Sequence, residues 1–363
     1  MMRLILVLFL ALATLNAKTP SLDEMVAQMI VIGFDGSKEG DKWVEQVAKD
    51  IKREKIGGIF LTEKNIQSIA QLKKMTDYLK SQAPKNLPLI VAVEYEGDDA
   101  SLFSAKKGFS ASFSAYDIAT SKDLNEAAKI YEQMSQEMAK CGINVNLGPV
   151  LDLQPKRFTS KKELERSYSP YEEIVTTYAV LFIDAMYRNR ILPVVKYFPM
   201  AGANLWDDFS NEADATPLWR YEQLKPYYDL IAYDKIDAVL LSHAMQKELD
   251  PKEPTLFSTT IVQSLLRQKM HFNGVVFADH LRTNSIPASV DFKNRIIKSV
   301  QAGADVLLFS NYFADNASMP FTVQKIIVDA VRSGEIKQER IANSYARIVT
   351  FKQNLSKRGS HVH

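Results

Sequence analysis

The sequence of 363 residues contains a single cysteine, Cys141. No intramolecular disulfide can form, and a cysteine-based metal site is excluded. Histidine is almost as scarce, with five in all, two of them at His361 and His363. A metal site built from that tail pair is outweighed by an ordinary solvated tail, so no metal is expected. Net charge is nearly absent. Lys and Arg number 45 and Asp and Glu 43, leaving +2, which gives no global reason to expect nucleic acid as a partner. There is no glycine-rich phosphate loop and no dinucleotide fingerprint, so no cofactor is expected. No apolar run after residue 17 approaches the length of a membrane span. The charged stretches at 52–55 and 156–166 mix both signs and read as solvated faces.

What is present is a large apolar fraction. Apolar residues make up 46% and charged residues 24%, which excludes disorder and calls for a sizeable core. The length suits one large α/β barrel or two medium domains. Residues 1–17 (MMRLILVLFLALATLNA) combine Arg3, an apolar run from Leu4 to Leu15 and a small residue at Ala17. That is the layout of a signal peptide, with a mature chain from about Lys18 and a periplasmic location. The alternative is an uncleaved N-terminal anchor.

Short apolar runs then recur: Met29–Phe34, Ile56–Leu61, Leu89–Glu94, Ile143–Leu147, Pro193–Phe198, Ala238–His243, Gly274–Asp279 and Asp305–Phe309. They lack polar alternation, as parallel strands covered on both faces do. Amphipathic helices lie between them. The clearest is Asp123–Cys141, with Ala127, Ile130, Met134 and Met138 on one face and Gly142 as its stop. Two more, Val323–Ser333 and Gln338–Leu355, are separated by Gly334. Eight strands alternating with helices predict a single (β/α)8 barrel over 18–355, with a doubly wound open sheet as runner-up and a flexible polar tail over 356–363.

A barrel places chemistry at the C-terminal ends of its strands. Glu94, Lys196, His243 and Asp279 end four of the predicted strands, and Asn311 follows the last one. Carboxylates and cations gathered at one mouth are what a polyhydroxylated ligand requires.

Several motifs add to this. Residues 55–65 read KIGGIFLTEKN, 141–153 read CGINVNLGPVLDL, and 274–281 read GVVFADHL. Arg166-Ser167-Tyr168, Lys196-Tyr197-Phe198-Pro199 and Gln301-Ala302-Gly303-Ala304-Asp305 complete the set. In order and spacing they resemble the catalytic barrel of family 3 glycoside hydrolases, β-N-acetylglucosaminidase branch, from about Ser21 to Leu355. The resemblance implies a retaining mechanism in which Asp279 is the nucleophile that forms a glycosyl–enzyme. It implies that Glu94, Arg166, Lys196 and His243 bind the sugar. Glu94 replaces a shorter Asp.

The departures concern proton transfer. In the family a loop His, oriented by an Asp two residues earlier, is the acid/base. Here Asp207 keeps the Asp position, but Phe209 stands where the His should be. A phenyl ring cannot carry a proton. Asp99 also replaces a family Arg. His280, next to the nucleophile, is expected to face away from it, because successive strand residues point to opposite sides.

Three readings follow. The leading one is a pseudoenzyme that binds envelope sugars such as peptidoglycan fragments, or an envelope protein, with Tyr95, Tyr197, Met200, Trp206 and Phe209 as an apolar contact surface or as packing inside the mouth. The second is an active retaining β-N-acetylglucosaminidase with its acid relocated to Asp207 or Asp208. The third is a structural component of a periplasmic assembly.

Overall fold

The computed structural model describes residues 19–97, 102–155, 165–201, 214–283, 285–309 and 319–357. Residues 1–17, Trp206, Asp207, Asp208 and Phe209, Asp99, Asn311 and the two tail histidines lie outside the described residues.

Eight parallel strands close into a barrel in chain order, with β1 hydrogen-bonded to both β2 and β8. They are β1 (Ile30–Gly33), β2 (Gly58–Phe60), β3 (Ile90–Val93), β4 (Val145–Val150), β5 (Leu192–Phe198), β6 (Ala238–Leu241), β7 (Val275–Ala278) and β8 (Val306–Phe309). Every strand residue is buried. That is why the runs read as continuously apolar: one face fills the barrel and the other lies under helices. The open doubly wound sheet is thereby excluded.

The helix Leu124–Lys140 forms as its sequence predicts. Asp123 caps it by accepting the Glu126 N–H, and Glu126 answers in a capping box. Gly142 follows with a φ of +78° and sits so near Thr76 that a Cβ would collide with it. The buried face differs by one position from the expected one. Ala127, Tyr131, Met134 and Met138 are buried, while Ile130 is only partly so. Tyr131 takes the inner place because its ring packs edge-on against Phe182 and its hydroxyl meets that of Tyr168 at 3.1 Å. The last two helices are Met319–Arg332 and Gln338–Lys357. The latter continues two residues past the expected start of the polar tail. Cys141 is buried, and burial pushes its thiol up to about 12.

The N-terminal face of the barrel is closed by charge. Asp305, fully buried before β8, accepts the Val276 N–H at 3.0 Å and Ser344 Oγ at 2.7 Å. Arg267, Arg340 and Arg347 converge on the same carboxylate at 2.8, 3.2 and 3.2 Å. Lys352, from the last helix, donates to Gln28 Oε1 at 2.6 Å and to the Gly57 carbonyl at 2.9 Å. These contacts tie the final helix to the strand starts and leave the opposite mouth for chemistry.

Candidate active site

Strands β3, β6 and β7 end at Val93, Leu241 and Ala278. Glu94, His243 and Asp279 therefore stand one or two residues beyond the strands that were expected to contain them. Lys196 lies within β5, where the register against β6 shifts between Lys196 and Phe198. Such a bulge re-aims side chains. The consecutive Lys196 and Tyr197 both reach Glu94, at 2.6 and 3.3 Å.

Two carboxylates and two cations form one cluster. Arg166 donates from Nη2 to Glu94 at 2.9 Å and to Glu96 at 2.7 Å, and from Nε to Glu96 at 2.9 Å. Lys196, fully buried, also pairs with Glu96. The Tyr197 hydroxyl accepts from Arg166 at 3.1 Å. Burial pushes the two carboxyls up, but the Lys196 ammonium and the Arg166 guanidinium outweigh it, holding Glu94 well below the usual carboxylate range and lowering Glu96 too. Burial pushes the Tyr197 phenol up instead, well above its ordinary value.

Between the two glutamates, Tyr95 points the other way and packs edge-on against Phe103 at 4.6 Å. Alternation along this segment thus sends Glu94 and Glu96 together to the mouth. Tyr95, Tyr197 and Met200 are all buried, at 4%, 7% and 2% exposure. Of the two roles the sequence left open for them, they take packing inside the mouth.

The second group surrounds Asp279, itself nearly buried. His243 donates from Nε2 to the His280 carbonyl at 3.0 Å, which turns its Nδ1 toward Asp279 at 3.6 Å. Burial pushes the His243 imidazole down, against the pull of the Asp279 carboxylate. The backbone N–H of His280 donates to Asp279 at 2.8 Å. The His280 ring does not face away from Asp279, contrary to the sequence expectation. Its Nε2 lies 3.7 Å from Asp279 Oδ1, and the ring packs edge-on against Phe60 of β2. The alternation rule fails here because β7 has already ended at Ala278.

The structure brings Glu94, Arg166, Lys196, His243 and Asp279 to one mouth. Tyr197 links the two groups, since it bonds to Glu94 and feels the Asp279 charge. Sequence reasoning passed over Glu96 as a site residue, although its i+2 spacing from Glu94 was a usable signal. Among the described residues no cluster suited to a metal ion occurs.

A closed (β/α)8 barrel with carboxylates, cations and imidazoles converging at its C-terminal mouth is an architecture that suits a small polar ligand. The particular family follows from comparison: the family described as "Glycosyl hydrolase family 3 N terminal domain" matches residues 21–351, and the chain belongs to it. The chain is 28% identical over 263 residues to the β-hexosaminidase of Idiomarina loihiensis, covering 70% of this chain and 77% of that protein. It is 26% identical over 290 residues to the β-hexosaminidase of Pasteurella multocida, covering 78% and 79%. Among solved structures, a family 3 β-N-acetylglucosaminidase from Paenibacillus superposes with a TM-score of 0.80 at 26% identity. That match covers 93% of this chain, which spans only 63% of the Paenibacillus protein. The β-N-acetylhexosaminidase of Beutenbergia cavernae shares the fold, with a TM-score of 0.78, 21% identity and coverage of 92% and 99%.

Proposed function

We propose that this protein is an exported, retaining hydrolase of terminal β-linked N-acetylglucosaminyl residues, acting on fragments of the cell-wall glycan in the periplasm. The observation that carries this reading is the placement of Asp279. Its carboxylate stands at the mouth between two imidazoles, and Tyr197 connects it to the Glu94–Glu96–Arg166–Lys196 cluster. In this reading the ionised cluster and Tyr197 take the sugar hydroxyls in directional, charge-assisted hydrogen bonds. Asp279 then attacks the anomeric carbon and holds the glycosyl group covalently until water displaces it. The names of the relatives support the substrate class. The composition of residues 1–17 supports export.

A second reading, binding of the same sugars without turnover, is favoured by Phe209 at the position where the family resemblance expects the acid/base His. An aryl N-acetyl-β-glucosaminide with a strongly acidic leaving group separates the two. It needs no protonation on departure, so a working nucleophile cleaves it and Asp279→Asn does not. If neither protein cleaves it but both bind N-acetylglucosamine, the second reading holds. N-terminal sequencing of protein recovered from the periplasm tests export, with a start near Lys18 expected.

A further inference from the structure

With the family's loop histidine replaced by Phe209, the site needs another proton carrier. The groups of the cluster are unsuited to it. Glu94 and Glu96 are tied as carboxylates to Lys196 and Arg166. His243 already spends its Nε2–H on a backbone carbonyl and is almost fully buried. His280 differs on each point. Its side chain is 23% exposed, its Nε2 lies 3.7 Å from Asp279 Oδ1, and its ring packs against the apolar ring of Phe60 from β2. Among the described residues, the ionisable groups that interact with it include Asp279, Glu94 from the end of β3 and His243 from the end of β6.

We propose that His280 is the acid/base of this protein, a catalytic residue adjacent in sequence to the nucleophile; this rests on the reading of Asp279 given above. A retaining site sets donor and nucleophile on a short span, about 5–5.5 Å for two carboxyls. Entry of the sugar requires the His280 ring to swing outward by roughly 1–2 Å to match that span, a motion its partial exposure allows. In the first step an Asp279 oxygen bonds to the anomeric carbon. The bond from that carbon to the glycosidic oxygen breaks, its electron pair stays on the oxygen, and the oxygen takes the proton from Nε2 of the His280 imidazolium. In the second step neutral Nε2 takes a proton from water as the water oxygen bonds to the anomeric carbon. The carbon–Asp279 bond breaks, returning its pair to the carboxylate, and His280 is again the imidazolium. The other ring nitrogen, Nδ1, is buried with no hydrogen-bond partner among the described residues. Among the described residues no Asp orients His280 through Nδ1.

The test is the leaving-group dependence of kcat/KM for aryl N-acetyl-β-glucosaminides in the wild type, His280→Gln and His280→Ala, with thermal unfolding to verify the fold of each. The expected result is a fall of about 10²–10⁴-fold for the least acidic leaving groups with little change for the most acidic one. Azide, which attacks without a base, should accelerate His280→Ala and yield the glycosyl azide. If folded His280 variants keep the wild-type dependence, or if Asp207→Asn or Asp208→Asn reproduces the selective loss instead, the assignment to His280 is overturned while the role of Asp279 stands. No Asp279-dependent turnover of any member of the series overturns both.

Discussion

Asn146 grips the backbone of Tyr95 from both sides: its Oδ1 accepts the Tyr95 N–H at 3.0 Å and its Nδ2 donates to the Tyr95 carbonyl at 2.7 Å. Tyr95 sits between Glu94 and Glu96, so this β4 side chain fixes the segment that supplies both carboxylates. Replacing it by Ala removes both of these hydrogen bonds to buried backbone groups, at about 1–2 kcal/mol each. Asn146→Ala should therefore lose about 2–4 kcal/mol in urea denaturation. It should also bind N-acetylglucosamine more weakly. Asn146→Asp keeps the acceptor and loses the donor, and should fall between the two proteins in both measurements.

Lys196 ties the same carboxylates from the neighbouring strand β5. Its replacement by Met leaves Glu94 and Glu96 with one cation, and breaking a buried pair costs about 3–5 kcal/mol. The sign of the pH effect follows from the depressed carboxyls. Their stabilisation is present above the ordinary value of about 4.5 and fades as pH falls through the lower folded values. The variant has less of this to lose. The gap in Tm between wild type and Lys196→Met should be constant from pH 7 to about 5 and narrow only as pH falls below about 4.5.

Lys352 gives a rise of the same sign in a more alkaline window. Burial pushes its ammonium down to about 7, against an ordinary 10.5. Between those values the unfolded chain holds a proton that the folded chain has released, so stability rises with pH across that window. Relative to Lys352→Met, the wild type should gain about 2 kcal/mol in urea denaturation between pH 7.5 and 9.5. A flat difference across the window would place the folded-state ammonium near its ordinary value.

The barrel was legible because its evidence is distributed. Eight fully buried strands leave eight apolar runs, and no single misplaced boundary disturbs their count. The cluster was legible for the same reason: Glu94, Lys196 and Asp279 stand at or just past the ends of such runs. His280 was misread because alternation was carried two residues past the end of β7, and the direction of a side chain in a turn is set by tertiary contacts, here Phe60 and His243. Glu96 was missed because it lies beyond the strand, in a segment held by Asn146 from a different strand. The shared burial of Tyr131 and Tyr168 likewise depends on a pairing 37 residues apart, which helical periodicity does not contain.

Phe209 offers a gain-of-function test. Asp207 is retained two positions earlier. With His280 already donating, Phe209→His should change kcat/KM on alkyl glycosides little in the wild-type background; its gain of about 10²-fold, the lower end of positioned proton transfer, belongs to a protein without His280. In a His280→Gln background the same change should return the activity lost on poor leaving groups.

The most direct measurement is the trapping of the covalent intermediate. A fluorinated N-acetylglucosaminyl fluoride carries a leaving group that departs without protonation, and its glycosyl–enzyme turns over slowly. Intact-mass analysis after incubation should show the addition of one glycosyl group. Peptide mapping should place it on Asp279, and Asp279→Asn should remain unlabelled. A protein that binds N-acetylglucosamine yet takes up no label, or that carries the label on another residue, would contradict the account.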